Sequence, residues 1–346
     1  LKANAEPATL KVTAVASKAS VELKDILVGE VWLASGQSNM GYPLNRAIGG
    51  SEALNTSNDA QLRFFSVANE TAAEPRPDVA GQWALSGPQT APGFSAVAFF
   101  FARELRAVLG CPVGVIRQDQ LFSNYVGKFE SALAKHRELL AKPHILEQYE
   151  KDLIRWNTEV IPAYQAANRA YNAAQAAGKD PGPKPKPSME PPRNPDPTGT
   201  PNPSRDRPGA PTVVFNAMIA PLVPYAIRGV IWYQGEGNGG AGFEYRTLFP
   251  RLIADWRSHW GTEFPFLFVQ LPGFETPAMK AQPDPAWAWL REAQLLTLTV
   301  PRTAMAVAID VGDPDDVHPP AKREIGQRLA LAARRVAYGE NIVSSG

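Results

Sequence analysis

Val28-Gly29-Glu30-Val31-Trp32-Leu33-Ala34-Ser35-Gly36-Gln37-Ser38-Asn39-Met40 changes character halfway. Val28–Ala34 is a short apolar run. Ser35-Gly36 closes it, and a small polar stretch with a hydroxyl and two amides follows. Short apolar runs bounded by turn residues are what strands buried on both faces look like. The pattern repeats outward along the chain. Leu62–Val67, Val113–Ile116, Gly229–Tyr233, Phe264–Leu271 and Ala304–Asp310 read as further strands. Between them Ser95–Leu109, Phe243–Trp260, Trp287–Leu298 and Ala321–Ala337 read as helices, and Gly110 and Gly261 stop two of these. Apolar strands alternating with helices predict an α/β, three-layer sandwich around a central parallel sheet.

One long segment breaks the alternation. Ser131–Ala177 is rich in Ala, Lys, Glu and Gln, with apolar residues at roughly helical spacing, and predicts two helices, packed antiparallel. Twelve of the 33 prolines then fall in Pro181–Pro211, a stretch that cannot form a helix interior or a central strand. We therefore expect residues 1–130 and 212–346 to be two parts of one domain, with 131–211 a helical and Pro-rich insertion.

Composition narrows the function. The chain has 346 residues, 44% of them hydrophobic, enough for a sizeable core. A net charge of +1 gives no electrostatic footprint for nucleic acid and no basic block for an anionic membrane surface. No apolar run approaches the ~18 residues of a membrane span. The single cysteine, Cys111, excludes an internal disulfide and a cysteine-rich zinc site. The opening Leu1-Lys2 and the close at Ser345-Gly346 read as those of a fragment, so targeting information is missing rather than negative.

In parallel sheets, ligands bind beyond the carboxyl ends of the strands. The first strand is followed by Gly36-Gln37-Ser38-Asn39, the Gly229–Tyr233 strand by Gln234-Gly235-Glu236-Gly237-Asn238, and the last by Asp313-Pro314-Asp315-Asp316-Val317-His318-Pro319. Hydroxyl, amide, carboxylate and imidazole are the parts of a serine nucleophile, an oxyanion donor and a base with its orienting acid. Of the four histidines only His318 follows a strand end with acids just before it. Each residue also has a plain reading: Ser38 as turn chemistry, Glu236 as a salt-bridged or solvated carboxylate. Walker A, H-E-x-x-H, G-x-S-x-G and dinucleotide G-x-G-x-x-G motifs are absent from the sequence.

These blocks resemble the sialate O-acetylesterase-like family of SGNH hydrolases. Val28–Met40 is similar to its nucleophile block. Ile231-Trp232-Tyr233-Gln234-Gly235-Glu236-Gly237-Asn238 is similar to its W-Y-Q-G-E-S-N block, and Asp316-Val317-His318-Pro319 with Lys322 to its D-I-H-P block. Phe94–Ala98 and Asn216–Leu222 also match. The resemblance implies an SGNH, flavodoxin-like fold and a serine esterase removing O-acetyl groups from sialic acid or a polysaccharide, with no metal or organic cofactor. It implies Ser38 as nucleophile, His318 as base, and Asp316 or alternatively Asp315 as the acid. It further implies Asn238 with a backbone N–H of the second block as oxyanion donors, and Gln37, Gln234 and Glu236 at the substrate. The family's glycine pair in that second block is replaced here by Phe122-Ser123, so Ser123 takes the donor's position. A catalytically silent carbohydrate-binding protein with a degenerate oxyanion hole is the alternative. The expected partner is an acetylated carbohydrate, with no nucleic acid and no membrane. The resemblance implies a secreted or periplasmic setting. Trp32, Tyr42, Trp232 and Tyr233 read equally as sugar platforms or as core.

Overall fold

The computed structural model describes residues 2–72, 74–118, 138, 139, 141–193, 195, 212, 214–274 and 286–344. The chain divides into two compact units, Leu1–Asn124 with Val214–Gly346, and Tyr125–Val213.

The first unit is built on a seven-stranded sheet. Its centre is β3 (Glu30–Gly36), preceded in the chain by β1 (Asn4–Thr13) and β2 (Ser20–Val28). Outward on one side lie β6 (Val113–Gln118), β4 (Asp59–Val67) and β5 (Gly81–Ser86). On the other lie β7 (Gly229–Tyr233), β8 (Phe266–Val269) and β9 (Thr303–Ala306). Chain order therefore reverses at β3, which places the topological switch point beside the end of the strand that carries Ser38. All pairings are parallel except β4 with β5, so the sheet ends in an antiparallel edge strand that the sequence reading omitted.

Alternate side chains of the strands enter two different cores. Ala34, Ile231, Tyr233, Leu267 and Ala306 face a cluster that includes Phe99–Phe101 of the helix Ala96–Leu109 and Ile325 and Leu329 of the C-terminal helix Lys322–Tyr338. A Cβ on Gly326 would lie 2.7 Å from Phe100 Cβ and 2.8 Å from the Val97 carbonyl oxygen, so these two helices touch at backbone distance. On the opposite face Trp232 packs against Phe249 and Trp256 of Gly242–Trp260, with ring centroids 6.0 and 5.8 Å apart. Each fully buried aromatic of this kind contributes roughly 1.5–3 kcal/mol. Cover on both faces accounts for the unbroken apolar strands.

β1 and β2 form a separate antiparallel ribbon whose apolar residues, Leu10, Val12, Val21 and Leu23 among them, are exposed. In the second unit, Pro143–Arg155 and Ile161–Ala176 are not two antiparallel helices. They form one continuous helix joined by a π turn, Trp156–Val160. The Ile161 N–H donates to the Trp156 carbonyl there, and Pro162 brings no N–H of its own to the next position. Residues 181–193 carry no helix or strand.

Candidate active site

Ser38 is delivered by a close contact between strands. β3 ends at Gly36 with φ +142°, where a Cβ would lie 2.1 Å from the Tyr233 carbonyl oxygen. Only glycine lets β3 meet the end of β7 there. The Gln37 N–H then donates to the Tyr233 carbonyl at 3.0 Å. The Gln37 carbonyl in turn accepts from Met40 and Gly41 at 2.9 and 3.1 Å. The resulting turn leaves Ser38 exposed.

His318 must travel further, because β9 lies three places from β3 in the sheet. β9 stops at Ala306, earlier than the Ala304–Asp310 run predicts, and Ile309–Val311 is a 3-10 turn. Asp310 instead anchors the returning loop through two 2.6 Å bonds from Arg328, which also hold its carboxyl below the usual carboxylate range. Further along, the Pro320 carbonyl accepts from the Ile48 N–H at 2.9 Å. The loop brings His318 Nε2 to 2.7 Å from Ser38 Oγ.

The two candidate acids differ in placement. Asp316 Oδ1 accepts the His318 backbone N–H at 2.8 Å and lies 3.7 Å from His318 Nδ1, a charge contact longer than a hydrogen bond. Asp315 donates its own N–H to Asp313 Oδ1. Among the described residues no ion pair joins Asp315 to His318.

Asn238 is buried in the 3-10 turn Glu236–Asn238 after β7. Its Oδ1 accepts from Gln234 Nε2 at 2.7 Å, which fixes the amide plane. Gln234 itself is fully buried. Its Oε1 accepts from Tyr245 at 2.9 Å and its Nε2 also reaches Gln37 Oε1 at 3.2 Å. Gln234 therefore orients Asn238 and Gln37. The Glu236 carboxylate likewise points inward, toward Asn39, and burial pushes its pKa up. Gln37 is half-buried. Ser123 lies outside the described residues. Trp32, Trp232 and Tyr233 are fully buried, so the core reading holds for them. Among the described residues no group of three or more His, Cys, Asp and Glu could hold a metal ion.

Sequence reading missed what lies beneath. Lys322 is fully buried, with Nζ donating to Asn39 Oδ1 and 5.0 Å from the Tyr42 and Tyr233 ring centroids. Burial drives its pKa down to about 7, against the pull of Glu236 and Asp316. The signal available in the sequence was a lysine opening a helix, where a cation opposes the helix dipole. A pH dependence follows. Between about 7 and the ordinary value of 10.5, the unfolded chain holds this proton and the folded chain does not. The desolvation penalty is therefore full below that window and fades through it, so this group makes stability rise with pH. Comparing thermal melts of wild type and Lys322→Met at pH 7 and pH 10 checks this. The difference should move in favour of wild type at the higher pH, and a constant difference would show that the folded lysine keeps its proton.

The comparisons with known proteins agree in direction. Residues 212–335 match the family described as carbohydrate esterase, sialic acid-specific acetylesterase. The chain is 30% identical over 349 residues to the sialate O-acetylesterase of Mus musculus, covering 93% of this chain and 59% of that protein. It is 28% identical to the Homo sapiens sialate O-acetylesterase, covering 93% and 56%. Among solved structures, a carbohydrate acetylesterase from Xanthomonas citri superposes with a TM-score of 0.67 at 34% identity, over 95% of this chain and 61% of that one. The chain thus spans about three-fifths of the length of these relatives.

Proposed function

We propose that this chain, a member of the sialate O-acetylesterase-like family of carbohydrate esterases with the SGNH-type mostly parallel sheet, is a serine esterase that removes O-acetyl groups from a carbohydrate. The observation that carries the reading is the 2.7 Å approach of His318 Nε2 to Ser38 Oγ on an exposed turn at the switch point of the sheet. With its Nδ1 proton toward Asp316, the imidazole presents the Nε2 lone pair to the hydroxyl. Ser38 Oγ then attacks the acetyl carbonyl carbon while His318 takes the proton. The oxyanion is met by the Ser38 N–H and by Asn238 Nδ2. Collapse returns the proton from His318 to the departing sugar oxygen and leaves acetyl-Ser38. Water, deprotonated by His318, hydrolyses that ester to acetate. Asp316 stabilises the imidazolium in both halves. The resemblance also supports a secreted setting for this chemistry.

The first test is cheap. Turnover of p-nitrophenyl acetate, blocked stoichiometrically by a fluorophosphonate, is the expected result. A folded protein that neither turns the ester over nor reacts with the phosphonate would overturn the proposal.

A further inference from the structure

Behind the Ser38–His318 pair lies a buried amide, Asn39, held between Lys322 and the Glu236 carboxylate, which the reaction above does not use. Lysine offers only donors, so the Asn39 oxygen must face Lys322 Nζ and the Asn39 nitrogen must face away. That nitrogen donates to the Val317 carbonyl at 2.9 Å and to Glu236 Oε1. Asn39 is 1% exposed. One amide therefore ties the turns after β3 and β7 to the loop that carries His318, and it does so one residue from Ser38 and one residue from His318. Stability does not account for the arrangement. Apolar residues of similar volume often serve as well as, or better than, a buried ion pair. The Lys322 side chain is closed in by the Tyr42 and Tyr233 rings and has no path to substrate.

We propose that Lys322 is a positioning residue for the Ser38–His318 pair, acting through the Asn39 amide, with Glu236 as its buried counter-charge. Donation from Lys322 Nζ to Asn39 Oδ1 sets which way the amide points. The amide then holds the carbonyl of Val317, and with it the His318 ring, against the turn that carries Ser38. The inference rests on the reading of Ser38 and His318 as catalytic.

The test compares Lys322→Met, Lys322→Met with Glu236→Gln, and Asn39→Ala, each alone, together with the Lys322→Met/Asn39→Ala combination. The readouts are kcat and KM on p-nitrophenyl acetate, the rate of fluorophosphonate reaction at Ser38, and thermal melts. A misplacement of about 1 Å at a reacting pair costs ~10²-fold, so kcat and the phosphonate rate should fall together by about that factor while KM stays within about twofold. Lys322→Met/Glu236→Gln should melt no lower than wild type, because it removes both buried charges. If the lysine acts through the amide, the Lys322→Met/Asn39→Ala combination should lose no more than Asn39→Ala alone. A folded lysine variant with kcat within about threefold of wild type, or losses that simply multiply, overturns the inference. Should neither lysine variant fold, Asn39→Ala with both charges intact decides it, and kcat within about threefold of wild type again overturns it. The underlying reading fails separately, when wild type and Ser38→Ala turn the ester over alike.

Discussion

Ser38→Ala should lower kcat on acetyl esters by roughly 10⁴–10⁶-fold and leave the melting temperature nearly unchanged. The size of the loss follows from the chemistry: without the hydroxyl there is no acyl-enzyme, and His318 has no positioned group to deprotonate. The intact fold follows from the geometry. Ser38 is exposed at a turn held by the backbone bonds of Gln37, and its hydroxyl contacts His318 Nε2. Surface changes of this kind usually stay within about 0.5 kcal/mol. Kinetics on p-nitrophenyl acetate with parallel melts decide the matter. Retention of more than about a tenth of wild-type kcat would remove Ser38 from the nucleophile's role.

Asp316→Asn and Asp315→Asn should differ by orders of magnitude. Asn at 316 keeps an oxygen to accept the His318 backbone N–H, so the loop stays in place while the charge facing Nδ1 disappears. In a serine protease triad the same exchange costs ~10⁴ in kcat. Here the carboxylate is 3.7 Å from the ring and 60% exposed, so water screens it and the expected loss is smaller, ~10²–10³-fold. Asp315→Asn should change kcat by less than about threefold, because its carboxylate has no ion pair with the imidazole. Steady-state kcat for both variants on one ester is the measurement. Equal, small losses would leave a Ser–His pair that works without an acid.

What the sequence disclosed follows from which forces are local. Gly229–Tyr233 was legible to the residue because a strand buried on both faces is apolar throughout and glycines bound it. The helix after Ser95 was legible from its stop, and Gly110 does take the left-handed conformation there, with its N–H donating to the Arg106 carbonyl. The β1–β2 ribbon was not legible, because its apolar residues face solvent and no burial pattern marks them. The edge strand Gly81–Ser86 is nearly as exposed and went unread for the same reason. Overextension of the last strand to Asp310 had a different cause. Ala308 and Ile309 look β-like, but Arg328 recruits Asp310 from 18 residues away, and such a pairing leaves no trace in a local window.

The site divides along the same line. Ser38 and Asn238 stand just beyond their strands, whereas His318 lies well past the end of β9 at Ala306 and reaches Ser38 through the loop that Arg328 anchors at Asp310. The choice between Asp316 and Asp315 could not be read from spacing, since it depends on how the loop turns its side chains about Val317. Gln234 and Glu236 were placed at the substrate through the family resemblance alone, and both side chains are hydrogen-bonded within the fold. Lys322 was named only as part of the block that resembles D-I-H-P, with no role assigned to it. Its partner Asn39 is 283 residues away in the chain.

Trapping the acyl-enzyme tests the account most directly. The protein is mixed with excess p-nitrophenyl acetate, quenched in acid within the first turnovers, digested and mapped by mass spectrometry. The account predicts a single acetyl group on Ser38 itself, absent from His318→Ala and Ser38→Ala. Sustained turnover with no acetylated peptide, or with the acetyl group on another residue, would contradict it.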